Sequence, residues 1–572
     1  MPSFRPANNV RPAILSRIDS LAAVLENSRI WPFAIFLVLY LPLTILIASR
    51  KLIWDDEFFT LYLSRPASMA DVLKALATGA DQHPPLFYFL THQVMTVLGA
   101  NHVTLRLVSL FGYGLFCICL FFLLRSRTSV LWATVGMFVP LILNPAYYYA
   151  TEARGYALML GFCALALLSW QQATALRKRL IWLCLLFVAL ALAVSSHYYA
   201  VLFLIPLGLG ELVRTCSLKR FDLPIWVCFG GVVVSPIAFL STIKQARQYS
   251  SHFWAVPYLS KLLDFYPIFV GPSSTILLLA LVIFLVNYLW LTPYSASGNH
   301  AVISGGITSW EIVVWIGIAA VPLFAMVLAK LVTHGYIERY AIAALIGAVL
   351  IICASGFHIT YRSRVVPFLL VLICSCFFLV QGVLSLRSQS IVLNTFLENL
   401  ATLAPHTKQP LVISDITAFH QVSFYARRDF VQSFAYLSDP SSAIKFLGHD
   451  TIDRGLLDLR PWFPLNVVER AAYEKEHSQF LDYSFIGSWD WLTDDLAAPA
   501  YKTELLARKG NRMLFDIQRV GPVSAIARRD DSQSLFKRIS TTGPSLCEQW
   551  FQGDRLCASI DRKLAELLTK TP

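Results

Sequence analysis

Lys51-Leu52-Ile53-Trp54-Asp55-Asp56-Glu57-Phe58-Phe59-Thr60 is the stretch on which the reading of this fold turns. It follows an apolar run over residues 30–49. That run has the ~20 residues a membrane crossing needs. Three consecutive carboxylates at the end of a membrane helix are costly unless they face water, a cation or a reaction. Ionisable groups in such a place are candidates for a functional site. The plainer reading is a solvated helix end.

The rest of the chain gives this junction its context. Of 572 residues, 56% are hydrophobic and 14% charged, against roughly 25% charged in soluble proteins. This is the composition of a polytopic α-helical membrane protein. The net charge of +12 fits basic residues held on one side of a bilayer. No basic run interleaved with aromatics suggests a nucleic-acid groove, so no nucleic-acid partner is expected. The first apolar run is too long for a signal peptide and lacks a small-residue cleavage site, so it reads as an anchor.

About eleven spans are expected, near 30–49, 104–124, 128–146, 156–175, 180–196, 198–213, 224–243, 273–292, 311–331, 340–356 and 365–386. Arg5, Arg11 and Arg17 place the tail, residues 1–29, in the cytoplasm. Lys and Arg recur after the second, fourth, sixth and tenth spans: Arg125 and Arg127, Arg177 to Arg179, Arg214 to Arg220, Arg362 and Arg364. The loop after the eighth has none. This alternation predicts a membrane domain over 30–386 and an extracytoplasmic domain over 387–572. It also puts the unusual polar residues of the membrane half on one outer face.

The first outer loop, about 50–103, has helical signals of its own. Ser68-Met69-Ala70-Asp71 is a variant capping box. Met69, Val72, Leu73 and Leu76 then form a stripe suited to lying in the membrane interface. Gly79 ends that helix, and the prolines of Asp81-Gln82-His83-Pro84-Pro85-Leu86-Phe87-Tyr88 start another, which Gly99 stops. The two helices would roof a cavity over the carboxylates or act as plain connectors.

Beyond residue 387 charges rise and long apolar runs vanish. Leu411-Val412-Ile413-Ser414-Asp415 and Arg512-Met513-Leu514-Phe515-Asp516-Ile517 read as buried strands. With Trp462, Trp489 and Trp491 between them, they suggest a soluble α/β domain. Nine of the eleven cysteines lie in or beside apolar runs and read as inert. Cys547 and Cys557 lie in the polar region. If that region is outside the cytoplasm, they are disulfide candidates.

Several short motifs share a resemblance. Asp56-Glu57 resembles the Asp-Glu motif of the GT-C membrane glycosyltransferases, in the branch of protein O-mannosyltransferases and the lipid A aminoarabinose transferase. His83-Pro84-Pro85-Leu86 is similar to that branch's His/Lys-Pro-Pro-Leu. Arg106-Leu107-Val108-Ser109 resembles its Arg-Leu-x-Ser, and Glu152-Ala153-Arg154-Gly155-Tyr156 its Glu-x-Arg-x-Tyr. His197-Tyr198-Tyr199 and Arg339-Tyr340 are weaker landmarks. The resemblance covers roughly residues 30–390 and leaves the C-terminal domain unmatched.

The resemblance implies transfer of a sugar from a polyprenyl-phosphate carrier to a hydroxyl acceptor on a protein, lipid A or a glycan. Transfer would proceed with inversion, on the outer face. An alcohol is a poor nucleophile at neutral pH, so a carboxylate in hydrogen-bond reach should take its proton. The family's aspartate falls on Asp56, with the adjacent Asp55 as a departure that leaves the base open between them. Glu57 would orient the acceptor or a basic group. For the donor phosphate and lipid the resemblance points to His83, Arg106, Glu152, Arg154, Tyr156, His197, Tyr198, Arg339 and Tyr340. The arginine fork suits phosphate oxygens. Lys244, Arg247 and Lys261 are further loop cations.

Blander readings stand beside these. Arg154 could pair with Glu152, His83 could cap a helix, and His197 with its tyrosines or Arg339-Tyr340 could sit in an interfacial belt. Nothing in the His and carboxylate spacing demands a metal, and none is expected, although the spacing would allow a divalent ion. The absence of a glycosylation sequon or ER-retention tail leans toward a bacterial inner membrane. The competing functions are a transporter or flippase for a lipid-linked or anionic substrate, and a non-catalytic scaffold.

Overall fold

The computed structural model describes residues 13–570 except 29, 66–67, 176–177, 234–239, 272–281, 283–305, 361–362, 404–409, 428–430, 432, 486–489, 497–499, 510–511 and 521–544. Six of the described helices are long and apolar enough to cross a membrane. They are Trp31–Arg50, His102–Arg125, Tyr156–Thr174, Arg179–Ser196, Tyr198–Leu218 and the apolar part of a helix that begins at Val365. Two bent pairs raise the number to eight, Val130–Ile142 with Pro145–Thr151 and Ser309–Ala319 with Val321–Thr333.

This is fewer than the eleven expected. Ala344–Ile359, read as a span, has 16 residues. At 1.5 Å per residue it rises roughly 24 Å, short of the ~30 Å hydrocarbon core. The expected span at 273–292 lies, but for Val282, outside the described residues, as do Arg177, Arg362 and Trp489.

Close approach of two central helices sets the frame. A Cβ added at Gly112 would collide with the backbone of Leu158, and one at Gly161 with the carbonyl of Gly112. Small residues at such crossings let membrane helices pack backbone to backbone. The contact draws the start of His102–Arg125 against the turn that precedes Tyr156. There Ser109 Oγ donates to the Arg154 carbonyl at 3.2 Å. Asn101 and Thr104 form a reciprocal cap at the first of these helices.

The first loop folds largely as expected. Ser68 caps Met69–Leu76 and Gly99, at φ +80°, ends Leu86–Leu98. The stripe of Met69–Leu76 is placed differently. Val72, Ala75 and Leu76 are buried in a core shared with Leu400, Phe419 and Leu456. The helix therefore packs under the C-terminal domain instead of lying free in a membrane interface.

That domain is a mixed six-stranded sheet in the order β3-β2-β1-β4-β6-β5. The strands are β1 Leu411–Ile413, β2 Phe434–Ser438, β3 Val467–Glu469, β4 Gln479–Phe485, β5 Tyr501–Lys509 and β6 Arg512–Arg519. β1 lies parallel to both β2 and β4, while β6 runs antiparallel to β4 and β5. The boundary expected at 387 falls inside one unbroken helix, Val365–Leu403, so bundle and domain share a helix.

Several polar ties join the halves. Tyr425 Oη accepts from the Ile53 amide at 2.9 Å and meets His102 Nε2 at 2.8 Å. The His102 amide donates to Asp554 Oδ2 at 2.9 Å. Cys547 and Cys557 are joined as a disulfide beside this contact, with Cα atoms 5.7 Å apart.

Candidate active site

The acidic triplet opens a short helix, Asp55–Leu63. Successive residues on a helix point about 100° apart, so the three carboxylates go to three different places. Glu57 turns inward and is fully buried with Arg106. Arg106 donates to it from Nε at 2.8 Å and Nη2 at 2.7 Å, and the Ala153 amide adds a third bond at 2.8 Å. The remaining donors of Arg106 go to the carbonyls of Ala48, Lys51 and Leu52. Burial pushes the Glu57 carboxyl up, but Arg106 and Lys51 outweigh it and hold the group below its ordinary value of 4.5. Expected at the lipid phosphate, Arg106 instead ties the end of the first span to the acidic helix, its fork fully occupied.

Asp56 faces a cavity. Its side chain is 26% exposed and accepts from Arg339 Nη2 at 2.8 Å. Burial raises this carboxyl, yet the guanidinium groups of Arg339 and Arg154 keep it below its ordinary 3.8. Asp55 turns the opposite way, to the C-terminal domain, where Thr417 Oγ1 donates to it at 2.6 Å.

A second acid joins the site from the loop before the His-Pro-Pro turn. Asp81 takes Arg154 Nη1 at 2.9 Å, Arg154 Nη2 at 3.2 Å and the Tyr88 hydroxyl at 2.6 Å. Burial opposes its ionisation, but Arg154 holds it far below 3.8. Arg154 thus pairs with Asp81 and not with Glu152. The Glu152 carboxyl is pushed up by burial to about 7 in spite of Lys51 and Arg339.

His83 Nδ1 lies 2.9 Å from both Asp81 Oδ1 and Arg154 Nη2. One lone pair or one proton can serve only one of these at a time. With Arg154 donating to Nδ1, the hydrogen sits on Nε2, which is buried and makes no hydrogen bond. Burial and then Arg154 lower the His83 pKa, so its ring is neutral at neutral pH. Behind it His197 packs edge-on at 5.1 Å, with Tyr156 and Tyr340 each 5.2 Å from the His197 ring.

These groups line a cavity of about 490 Å³ between the bundle and the C-terminal domain. From the bundle side come Asp56, Asp81, His83, Arg154, Tyr156, Arg339 and Tyr340. From the C-terminal domain come Asp415, Thr417, His420 and Arg512, and Asp55 of the acidic helix turns toward this wall. Glu57, Arg106, Glu152, His197, Tyr198, Lys244, Arg247 and Lys261 do not line it. Four bundle-side polar atoms are buried without a hydrogen bond: His83 Nε2, Arg154 Nε, Tyr156 Oη and Arg339 Nε. Donors left unsatisfied in this way are costly unless something polar binds them. An ionised carboxylate beside two guanidinium groups and a neutral imidazole can take a proton and steady an anion in one place.

Residues 82–240 match the family described as dolichyl-phosphate-mannose-protein mannosyltransferase. ArnT from Cupriavidus metallidurans, in its apo state, superposes with a TM-score of 0.53 at 12% identity, covering 85% of this chain and 97% of ArnT. The same enzyme bound to undecaprenyl phosphate gives 0.52 at 13% identity, with the same coverage. The chain has the fold of ArnT. The family match over this part of the chain and the shared fold agree with the resemblance read from the motifs. No curated protein sequence matches the chain.

Sequence reasoning missed two groups of this candidate site. Asp81 stood two residues before the His-Pro-Pro motif, and its pairing with Arg154 left no trace in spacing. Thr417, His420, Asp415 and Arg512 lie in the domain without motifs, and only the two strand signals, Leu411–Asp415 and Arg512–Ile517, pointed near them.

Proposed function

We propose that this protein moves a sugar from a polyprenyl-phosphate donor to a hydroxyl acceptor, with Asp56 as general base and inversion at the sugar carbon. The observation that supports it best is the Asp56–Arg339 pair. It is an acid kept ionised and open to the cavity, beside the cations and unpartnered donors of Arg154 and His83.

The chemistry then balances as follows. The acceptor oxygen forms a bond to the anomeric carbon from the face opposite the phosphate, while its proton passes to Asp56. The carbon–oxygen bond to phosphate breaks and its electron pair leaves with the lipid phosphate, which gains one negative charge. Arg154, Arg339 and the Nε2 hydrogen of His83 meet that charge where it develops. Protonation of Asp56 neutralises the partner of Arg339, so its guanidinium is released toward the phosphate in the same step. Tyr156, Tyr340 and His197 shape the wall against which the donor lies. No metal is required by this scheme.

In the cell we place the protein in a bacterial inner membrane. Its N-terminus is cytoplasmic, and the cavity and C-terminal domain are on the outer face, as the loop charges suggest.

The test uses full-length protein in detergent with a radiolabelled polyprenyl-phosphate sugar. Asp56→Asn should keep its elution profile and its affinity for undecaprenyl phosphate while losing sugar release by about 10²- to 10⁴-fold, the usual size of a general-base contribution. An Asp56→Asn protein that releases sugar at the wild-type rate would sink the proposal.

A further inference from the structure

The cavity has a second wall, and its chemistry differs from the first. β1, β2 and β3 succeed one another on one side of the sheet, and β4 then returns to the other side of β1. The order of the strands therefore reverses between the parallel neighbours β1 and β4. In open α/β sheets ligands bind outside the carboxyl ends of the strands at such a reversal. Here that edge faces the membrane bundle. Asp415 lies two residues past β1 and caps the helix Ile416–Tyr425, accepting from the Ala418 amide at 2.7 Å. Arg512 begins β6, opposite the last residue of β4.

Four polar atoms on this side are buried and make no hydrogen bond: Trp54 Nε1, Asp55 Oδ1, His420 Nδ1 and His420 Nε2. The His420 side chain is 1% exposed, and its Nδ1 lies 3.6 Å from Asp55 Oδ1, too far for a hydrogen bond. Phe58 holds the imidazole in place from 5.4 Å. An acceptor atom, a donor atom and an imidazole that is both thus point into one space.

From this wall we infer that the acceptor is a neutral, hydroxyl-rich glycan, bound by Asp55, Thr417 and His420 at the switch point of the C-terminal domain. The inference rests on the glycosyltransferase reading of the cavity and names its acceptor side. Sugar hydroxyls give and receive hydrogen bonds, so they satisfy a mixed set of carboxylate oxygen, imidazole and indole N–H. The C–H faces of a sugar ring are apolar, and Trp54, Phe59 and Trp254 line the same cavity with flat apolar surface.

Charge argues against an anionic acceptor. The cation on this side, Arg512, already donates to Asp415 at 2.8 Å, and Asp55 adds a carboxylate with no cation of its own among the described residues. A phosphorylated acceptor would meet net negative charge here. A peptide acceptor would want a free strand edge for its backbone. β6, the strand that reaches the cavity, is paired on both sides.

The experiment measures binding to the full-length protein in detergent by saturation-transfer NMR. The probes are undecaprenyl phosphate, a neutral mannose oligosaccharide, a diphosphorylated lipid A and a threonine-rich peptide. The oligosaccharide should bind, and the lipid A and the peptide should not. His420→Ala and Thr417→Val should each weaken the oligosaccharide about tenfold, the effect of losing one hydrogen bond of ~1.4 kcal/mol. Both should keep undecaprenyl phosphate within twofold. His420→Gln, which retains a donor and an acceptor, should recover most of the oligosaccharide affinity and guards against a folding defect in His420→Ala.

Binding of lipid A or the peptide in place of the oligosaccharide overturns the inference. So does a wild-type protein that binds undecaprenyl phosphate but no oligosaccharide, or oligosaccharide binding untouched by both substitutions. A wild-type protein that fails to bind undecaprenyl phosphate would instead strike the donor reading on which the inference rests.

Discussion

Two neighbouring acids, Asp56 and Glu57, each meet an arginine at hydrogen-bond distance, yet the two regions around them do opposite things. The Glu57–Arg106 pair is sealed, with both side chains 0% exposed and every guanidinium donor matched to a carboxylate or carbonyl. The Asp56–Arg339 pair opens on the cavity, with 26% and 17% of the side chains accessible and Arg339 Nε left without a hydrogen bond. The same chemical pair is architecture where it is saturated and reactive potential where it is not. Adjacent sequence positions reach these two fates because a helix turns about 100° per residue.

The comparison can be broken most severely at the sealed pair. Arg106→Ala or Glu57→Ala strands a buried charge and should cost about 3–5 kcal/mol of stability. Thermal unfolding in detergent should show a large fall in Tm for either. The double variant Glu57→Leu with Arg106→Met should recover much of that loss, since replacing a buried pair with apolar side chains is often neutral. Single variants as stable as wild type would mean the pair is not structural.

At the open pair the expected change is in rate and pH, with little in stability. Arg339 is the leading cation that holds Asp56 below 3.8 against burial. In the wild type Asp56 is therefore already ionised throughout the neutral range, and no acid limb from it should appear above about pH 5. Arg339→Gln removes that cation, so the Asp56 pKa rises and an acid limb of kcat/KM should move up in pH. A profile of unchanged shape would show that Arg339 does not set the ionisation of Asp56.

A smaller effect is expected at Glu152. Burial raises its carboxyl from 4.5 to about 7 in the folded protein. The folded state then holds a proton that the unfolded chain releases, so stability falls as pH rises from about 4.5 through 7. Glu152→Gln removes that loss. It should match wild type near pH 4.5 and unfold at a higher temperature near pH 8. An equal Tm at both pH values would contradict the shift.

Asp55→Asn should have the least influence on donor chemistry, because its contacts are with Thr417 and His420 rather than with Arg154 or Arg339. Release of sugar from a labelled donor to water should change less than about threefold, the scale of a lost exposed or part-exposed polar contact. A loss as large as that of Asp56→Asn would transfer the role of base to Asp55.

Much of this was legible in the chain. Apolar runs of spanning length, the Ser68 cap, the Gly99 stop and the order of the motifs depend on local periodicity or on short-range backbone chemistry. Which way a guanidinium points does not. Arg106 and Arg154 each sat in a motif, but one faces a sealed carboxylate and the other a cavity. That choice is made by helix phase and by the Gly112–Gly161 crossing. Among the described residues the expected span at 340–356 falls short because hydropathy alone does not see where an apolar helix stops. His420 was hidden for another reason. In Phe419-His420-Gln421 it looks like a helix residue among aromatics, and only the docking of a distant domain brings it to Asp55.

Val365–Leu403 runs for 39 residues without a break, roughly 58 Å at 1.5 Å per residue. About half of that would cross a bilayer, so the remainder stands as a stiff mast carrying the start of the C-terminal domain. Its pitch sets both the height and the compass bearing of that domain over the membrane. One residue inserted near its upper end would swing whatever hangs beyond it by about 100°. The clearance between the lipid surface and the reaction chamber is thereby written into a single helix length, a ruler that would favour acceptors whose target hydroxyl reaches the same altitude.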